Sequence, residues 1–202
     1  MRIKKQNTVI SIVENETLHF VEVGARGKKK AVESVKLAEL LVDGADANLI
    51  PLSVRSRINK LLIVPDYWFG NDVYKFQSMK KSLADAFVER KLHVQFEQLP
   101  DVKNFFENIA FQGERKERWL YAYFLQDPQF FQLYKTLSRL GLTPQRITSP
   151  ALIWQSKIRQ KMPDFEEGGK CFIELLHNIY HLYFFFEGNF LFSRNIPLAD
   201  LP

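Results

Sequence analysis

His177 and His181 stand four residues apart, a spacing that on a helix would set two imidazoles on one face and could hold a metal ion. The residues around them spell a strand, where such a pair is more widely separated, and no third ligand accompanies them. Histidines on a sheet surface, and no metal, are therefore expected. Cys171, the single cysteine, lies in the apolar run Lys170-Cys-Phe-Ile-Glu-Leu-Leu176; it reads as a small buried hydrophobe and not a nucleophile, and no disulfide framework can form. Asp66 follows Pro65 after an apolar run, where a catalytic acid and an Asx-type turn are both open and the turn is the ordinary explanation. Beside it, Tyr67-Trp68-Phe69 gathers three aromatics ahead of Gly70-Asn71. Exposed, they would anchor a partner; packed, they would be local core under a loop. No catalytic residue is assigned.

The elements that must position these groups include one pattern that occurs twice. Val9-Ile-Ser-Ile-Val13 and Thr17-Leu-His-Phe-Val-Glu-Val23 flank Glu14-Asn15-Glu16, and Gly24 to Gly27 leads into a third alternating run through Ala31 and Val35. Near the other end, Lys170 to Leu176, Tyr180 to Glu187 and Phe190 to Arg194 repeat the three-stranded meander, with a turn at Gly188-Asn189. Neither first turn of the two meanders holds the glycines with which backbone N–H groups wrap a phosphate.

Between the meanders the reading is mixed α and β. A short helix is expected within Pro51 to Lys60, then a buried strand Leu61 to Val64 and an edge strand Asp72 to Gln77. Ser78 caps an expected helix Met79 to Leu92, with Met79, Leu83, Ala86, Phe87 and Leu92 on its apolar side. His93 to Phe96 alternates as a strand, Asp101 to Phe111 has helical spacing, and Gln112 to Arg118 reads as a surface loop. Trp119 to Leu125 is a strand; Asp127-Pro128 opens a helix that Gly141 ends, and a further helix runs from Pro150 to about Lys161. Met162 to Gly169 is the expected interdomain linker.

Close to half of the residues are apolar and the net charge is +5, a composition that can bury a full core as one large or two small domains. Lys28, Lys29 and Lys30 in one loop, and Arg55, Arg57 and Lys60 before a strand, carry much of the excess charge. A solvated basic face explains them, though anionic lipid, nucleic acid or an acidic partner would also fit. Met1 to Asn7 is basic but is not followed by an apolar signal core. No apolar run reaches a membrane span, since Glu187, Gly188 and Asn189 interrupt the best candidate. A cytoplasmic, soluble chain is expected.

Several segments together resemble one family. Ile63-Val-Pro65, the extended segment after it and a helix ending Val88-Glu89-Arg-Lys-Leu92 resemble the inserted small subdomain of the PilM and GspL proteins. Tyr123-Phe-Leu125, the helix through Tyr134 and Leu137, Gly141-Leu142-Thr-Pro144-Gln-Arg-Ile147 and the helix from Ala151 resemble the return to that family's main sheet. Gly188-Asn-Phe190-Leu-Phe192-Ser-Arg194-Asn-Ile196 is similar to its second-lobe hairpin. The resemblance implies an α/β fold: an actin-like (ribonuclease-H-like) lobe, residues 1–60 and 119–161, with an inserted small α/β subdomain, 61–118, a linker, 162–169, and the start of a second lobe, 170–202.

Proteins of this family are assembly platforms on the cytoplasmic side of the inner membrane in type IV pilus and type II secretion machines. The implied partners are a PilN-like or GspL/GspM-like inner-membrane protein and the motor ATPase, with no nucleic acid; a homodimer and proximity to the membrane surface are compatible with it. An extended tail would enter a groove between the main sheet and the small subdomain, with Tyr67, Trp68 and Phe69 as contacts and Arg55 and Arg57 as ion-pair partners. Actin-like ATPases place Asp-x-Gly at the first turn of each lobe, whereas this chain has Glu14, Asn15 and Glu16 in one and Glu174, Leu176 and His177 in the other. Two carboxylates beside the first turn would repel phosphate. The site is thus expected to be degenerate, with weak or absent ATP binding, no cofactor and no catalysis. An actin-like ATP-binding protein or small-molecule kinase is one alternative. The other is a nucleic-acid-binding ribonuclease-H-like domain, whose two-metal chemistry would have only Glu14, Glu16 and Glu174 to draw on.

Overall fold

A computed structural model of the chain describes residues 8–24, 29–77, 80–95, 106–112, 117–176 and 178–200. In chain order the elements are β1 (Thr8–Glu14), β2 (Thr17–Val23), β3 (Lys29–Lys36), α1 (Leu37–Leu40), α2 (Leu52–Arg55), β4 (Ile58–Ile63), β5 (Phe69–Gln77) and α3 (Lys81–Gln95). They are followed by β6 (Phe106–Gln112), β7 (Glu117–Leu125), α4 (Pro128–Arg139), β8 (Ile147–Thr148), α5 (Pro150–Lys161), β9 (Gly169–Leu176), β10 (Ile179–Phe186) and β11 (Asn189–Pro197). Two compact units result, Met1–Pro65 with Asp127–Pro150, and Asp66–Gln126 with Ala151–Pro202.

The first unit is a five-stranded sheet of order β3-β2-β1-β4-β8. The first meander is antiparallel, while β4 runs parallel to β1 and β8 parallel to β4. Strand alternation sends Val9 and Val13 of β1 and Leu18 and Phe20 of β2 to the buried face. Helix α4 brings Phe130, Leu133 and Leu137 into the core at helical spacing. Its ends follow local chemistry: Asp127 accepts a hydrogen bond from the Gln129 N–H at 2.8 Å, Pro128 fills the first turn, and Gly141 at φ 74° lets the Leu142 N–H return to the Leu137 carbonyl at 2.8 Å. Thr136 Oγ1 donates to the Leu40 carbonyl and Arg139 to that of Ala45, which ties α4 to α1 and the loop after it.

The hairpin between β1 and β2 closes in two residues, because Glu14 pairs with Thr17. Asn15 and Glu16 both take left-handed backbone, at φ 45° and 61°, which is the type I′ geometry that matches sheet twist. Asparagine tolerates it, but glutamate carries a Cβ against its own carbonyl, at a cost of about 1–2 kcal/mol. Glu16→Gly is therefore expected to stabilise the first unit by about 0.5–1 kcal/mol after the added backbone entropy of the unfolded chain, read as a higher urea midpoint at unchanged slope.

In the second unit, β5, β7 and β6 form an antiparallel sheet with β7 in the centre, and β9, β10 and β11 form the second meander. Their shared core contains Tyr121, Tyr123, Ala151, Phe165, Tyr183, Phe185 and Phe190. The turn of the last hairpin is Glu187-Gly188, one residue earlier than its sequence suggests, because Phe186 pairs with Asn189. Arg159 donates to the Gly188 carbonyl at 2.9 Å and thereby holds that turn against α5.

Several expectations are corrected. Asp101 to Phe111 was expected to be helical, yet β6 occupies 106–112; its backbone ladders with the whole of residues 118–124 of β7, and that pairing outweighs a helical spacing that the same residues also satisfy. Residues 101–105 lie outside the described residues. The surface loop expected at 112–118 shrinks, since Gln112 belongs to β6 and Glu117 and Arg118 to β7. His93 to Gln95 continue α3 instead of starting a strand, four alternating residues being too few to end a helix already formed. Ser78 and Met79 lie outside the described residues. The packed side of α3 is marked by Ala84 and Val88, while Leu83 and Ala86 are exposed. The short helix within 51–60 is only α2, because Ile58 already enters β4. Strand β7, expected in the main sheet, pairs along its whole length with β5, so that the return to the main sheet is made by Ile147 and Thr148. The segment 162–169 joins α5 to β9 within one unit, with Phe165 fully buried in its core.

Candidate functional site

At the entry to the second unit the chain leaves Pro65 in a single 3-10 turn, Asp66–Trp68, and then starts β5. A turn of that pitch points successive side chains about a third of a revolution apart, which separates three neighbouring aromatics. Trp68 is 1% exposed and belongs to the core, whereas Tyr67 is 65% exposed. Phe69 lies between these extremes and stacks on Tyr123, ring centroids 4.4 Å apart and planes within 5°. Tyr123 in turn meets Phe190 edge to face at 5.2 Å. The assignment of Trp68 as a partner contact is thus overturned by its burial; Tyr67 and Phe69 keep access to ligand.

The Asp66 carboxylate accepts a hydrogen bond from the Ala151 N–H at 3.1 Å, capping the first turn of α5 and fixing where that helix starts. The Gln126 N–H donates to the Trp68 carbonyl at 3.0 Å, which closes the neck of the inserted sheet. Between these elements lies a cleft of about 290 Å³ lined by Asp66, Tyr67, Phe69, Asn71, Tyr123, Phe190, Phe192, Ser193, Arg194 and Asn195. Its floor is the aromatic set Phe69, Tyr123 and Phe190. Its rim is polar and carries both signs of charge, from Asp66 and Arg194.

Two strands border this cleft, and each is an outer strand of its sheet. β5 is at one end of the order β5-β7-β6, and β11 at one end of β11-β10-β9. An outer strand offers unladdered N–H and C=O groups that an incoming strand can use. Aromatic floor, charged rim and outer strand edges form a surface suited to an extended polypeptide, in which alternate side chains reach the pocket and the main chain ladders with edge groups other than the Val73 N–H, held by the Asp72 carboxylate at 2.8 Å, and the Phe190 N–H, held by Gln155 at 3.3 Å.

Other residues singled out in the sequence fall elsewhere. Arg55 and Arg57 belong to the first unit. Arg57 is engaged there, paired with Glu22 at 2.6 Å and donating from Nε to the Ser53 carbonyl at 2.7 Å. Glu14, Asn15 and Glu16 are exposed on their two-residue turn, whose last carbonyl is taken by the Leu37 N–H. At the corresponding turn of the second meander Leu176 pairs with Ile179, Asn178 has φ 61° and Glu174 is near the Tyr183 hydroxyl at 3.5 Å. His177 lies outside the described residues. Cys171, expected to be buried, is exposed, because its face of β9 is turned away from the core. Among the described residues no group of three or more His, Cys, Asp or Glu side chains could hold a metal ion, and no helix is long and apolar enough to cross a membrane.

Sequence reasoning missed Asn71, Tyr123, Phe190 and the β11 residues Phe192 to Asn195 as cleft residues. The Phe190-to-Arg194 strand was visible, but its neighbour across the cleft is more than a hundred residues earlier in the chain, and no local pattern encodes that meeting.

No protein-family model and no curated protein matches the sequence. Among solved structures, one chain of a PilM-PilN type IV pilus biogenesis complex is similar over 96% of this chain and 62% of its own, at 13% identity and a TM-score of 0.55. A Bacteroides thetaiotaomicron protein with an actin-like ATPase fold is similar over 96% and 70%, at 12% identity and a TM-score of 0.43. The cytoplasmic domain of EpsL, an inner-membrane component of the Vibrio cholerae type II secretion system, is similar over 95% and 71%, at 9% identity and a TM-score of 0.45. The chain therefore spans less than two thirds of the PilM-PilN complex chain that it matches. Identities this low bear on the fold alone. The sheet order of the first unit, its repeated meander and the likeness to the PilM-PilN structure make this an actin-like fold.

Proposed function

We propose that this protein is a non-catalytic assembly platform of a type IV pilus or type II secretion machine, acting on the cytoplasmic side of the inner membrane. Its work is to hold an extended segment of a PilN-like or GspL/GspM-like membrane protein and to connect it to the motor ATPase. The observation that carries the reading is the cleft of the second unit, an aromatic floor between two outer strands. The two-residue turns support the non-catalytic part, since Glu14 and Glu16 put negative charge where an actin-like ATPase would hold phosphate.

The test is calorimetric titration of the protein with a synthetic peptide of a PilN-type cytoplasmic N-terminal segment. Binding is expected, and Tyr67→Ala and Arg194→Ala are each expected to weaken it about tenfold with the melting temperature unchanged. Absence of binding, or binding indifferent to both substitutions, overturns the assignment of the cleft. Magnesium and ATP are expected to leave the melting temperature where it was. A nucleotide at a hundred times its dissociation constant would add about 2.7 kcal/mol, and a magnesium-dependent rise of that size would return the ATP-binding or kinase reading.

A further inference from the structure

Phe192, Ser193, Arg194 and Asn195 are successive residues of β11, and all of them line the cleft. Successive side chains of a strand point to opposite faces, so a cavity that touches such a run lies along the edge of the strand. β5 meets the same cavity through Phe69 and Asn71, which are two positions apart and therefore share one face. The cleft is thus the outer edge of β11 above a face of β5.

The direction of the backbone groups along β11 follows from its pairing. Phe185, Tyr183 and His181 are alternate residues of β10, so their partners Phe190, Ser193 and Asn195 form the same kind of pair. The Phe190 N–H points away from β10, since it donates to Gln155 at 3.3 Å. Ser193 and Asn195 accordingly turn their N–H and C=O groups outward too, into the cleft. The register shift between Phe184 and Phe185 leaves Leu191 as the extra residue of a bulge and keeps this order intact. The edge of β5 is less accessible, because Asp72 accepts from the Val73 N–H at 2.8 Å, and Asp72 and Lys75 charge the strand in the way that protects an edge from pairing.

The plan of the fold keeps the edge of β11 open. In the first unit the third strand of the meander, β3, is outermost, and the later strands β4 and β8 join on the side of β1. By the same plan a further strand of the second sheet belongs beside β9, across the sheet from β11. Arg194, on the face of β11 opposite to Ser193 and Asn195, is exposed and has no ion-pair partner among the described residues, so a carboxylate beside it would be complementary.

Taking the cleft as the peptide site of the platform reading, on which this inference rests, we propose that the bound segment is a fourth strand of the β11-β10-β9 sheet, laddered to Ser193 and Asn195. One set of its alternate residues is apolar and turns to Phe69, Tyr123 and Phe190. The other set is acidic and lies beside Arg194. Pro197, which has no N–H, ends the ladder at one side, and the engaged Phe190 N–H ends it at the other.

Amide hydrogen exchange followed residue by residue by NMR, with the synthetic PilN-type peptide in excess, tests this. The Ser193 and Asn195 amides are expected to slow at least about tenfold on binding, while those of β5 keep their rates. Methylating the peptide's backbone nitrogens one at a time should weaken binding about tenfold at alternate positions and spare the positions between. Glutamate across the polar face of the peptide should bind about fivefold more tightly than lysine there, an order that Arg194→Glu reverses. A peptide that does not bind overturns the platform reading and this inference together. Binding that slows the β5 amides instead, or that loses affinity to methylation at every position or at none, overturns the strand addition and leaves the platform reading standing. Indifference to glutamate or lysine overturns the acidic assignment.

Discussion

Replacing Trp68 by alanine is expected to destabilise the second unit by about 3–5 kcal/mol, the range for removing a buried large aromatic. The indole is 1% exposed and ranks among the largest fully buried side chains. It follows Pro65, where the chain enters the unit, and its carbonyl accepts the Gln126 N–H where the chain leaves. A cavity there loosens the start of β5 and the end of β7 together. Native domains have only about 5–15 kcal/mol in hand, so this single change consumes a large fraction of the total. Tyr67→Ala, one residue earlier and exposed, is expected to stay within about 0.5 kcal/mol of the wild type. Urea unfolding of the two variants side by side makes the check. A Trp68→Ala protein as stable as the wild type would mean that the indole is not in the core; an equally unstable Tyr67→Ala protein would mean that the turn itself, and not the indole, is the sensitive element.

The second large effect is expected in alkali. Burial pushes the Tyr121 and Tyr183 hydroxyls well above the usual tyrosine range; for Tyr183 the charges of Asp66 and Glu174 add to the effect, and its hydrogen bond to Glu174 favours the protonated form further. Tyr74 is pushed up to about 12, first by burial and then by Asp72. In the unfolded chain each of these groups loses its proton near pH 10. Above that pH the unfolded state binds fewer protons than the native state, so the stabilisation that is complete below pH 10 declines as pH rises towards the native values. Each buried tyrosine contributes a slope of about 1.4 kcal/mol per pH unit. Because the unfolded groups are only half ionised at pH 10, Tyr121 and Tyr183 together give about 2 kcal/mol lost between pH 10 and 11, and partly solvated Tyr74 adds less. For a chain of this size that is a fall of roughly 4–8 °C in melting temperature, against little change between pH 8 and 9.

Tyr121→Phe separates burial from bonding in this behaviour. The Tyr121 hydroxyl is buried with no hydrogen-bond partner, so its removal should cost nothing, or stabilise by about 1 kcal/mol at neutral pH, while halving the alkaline slope due to the pair. A slope unchanged in Tyr121→Phe and Tyr183→Phe would show that these hydroxyls ionise freely in the folded protein.

What the sequence made legible was local. Asp127-Pro128 and Gly141 bound α4 because N-cap, first-turn proline and left-handed glycine each act on their own few residues. Glu14-Asn15-Glu16 lies between two alternating runs and closes a hairpin in two residues for the same reason. Residues 101–111 failed because Val102, Phe105, Phe106 and Ile109 fit a helix, and only pairing with β7 decides for a strand at 106–112. The three aromatics 67–69 could not be sorted because a 3-10 turn has neither the period of a strand nor that of a helix. The cleft was the least legible part: Tyr123 and Phe190 become neighbours only when the inserted sheet meets the second meander.

That same meeting dictates a schedule for biosynthesis. The first unit has all its strands once Thr148 has been made, and its sheet can close while the residues after it are still being translated. The hairpins from 66 to 126 have no such option, because the rings that cover Tyr121 and Tyr123 arrive with Phe165, Tyr183, Phe185 and Phe190. Throughout that interval a nascent polypeptide carries an aromatic sheet still short of its cover, the state in which chaperones and proteases compete for a chain. Quality control of this protein in the cell is thereby weighted towards residues 165–190, which decide the fate of a segment synthesised long before them.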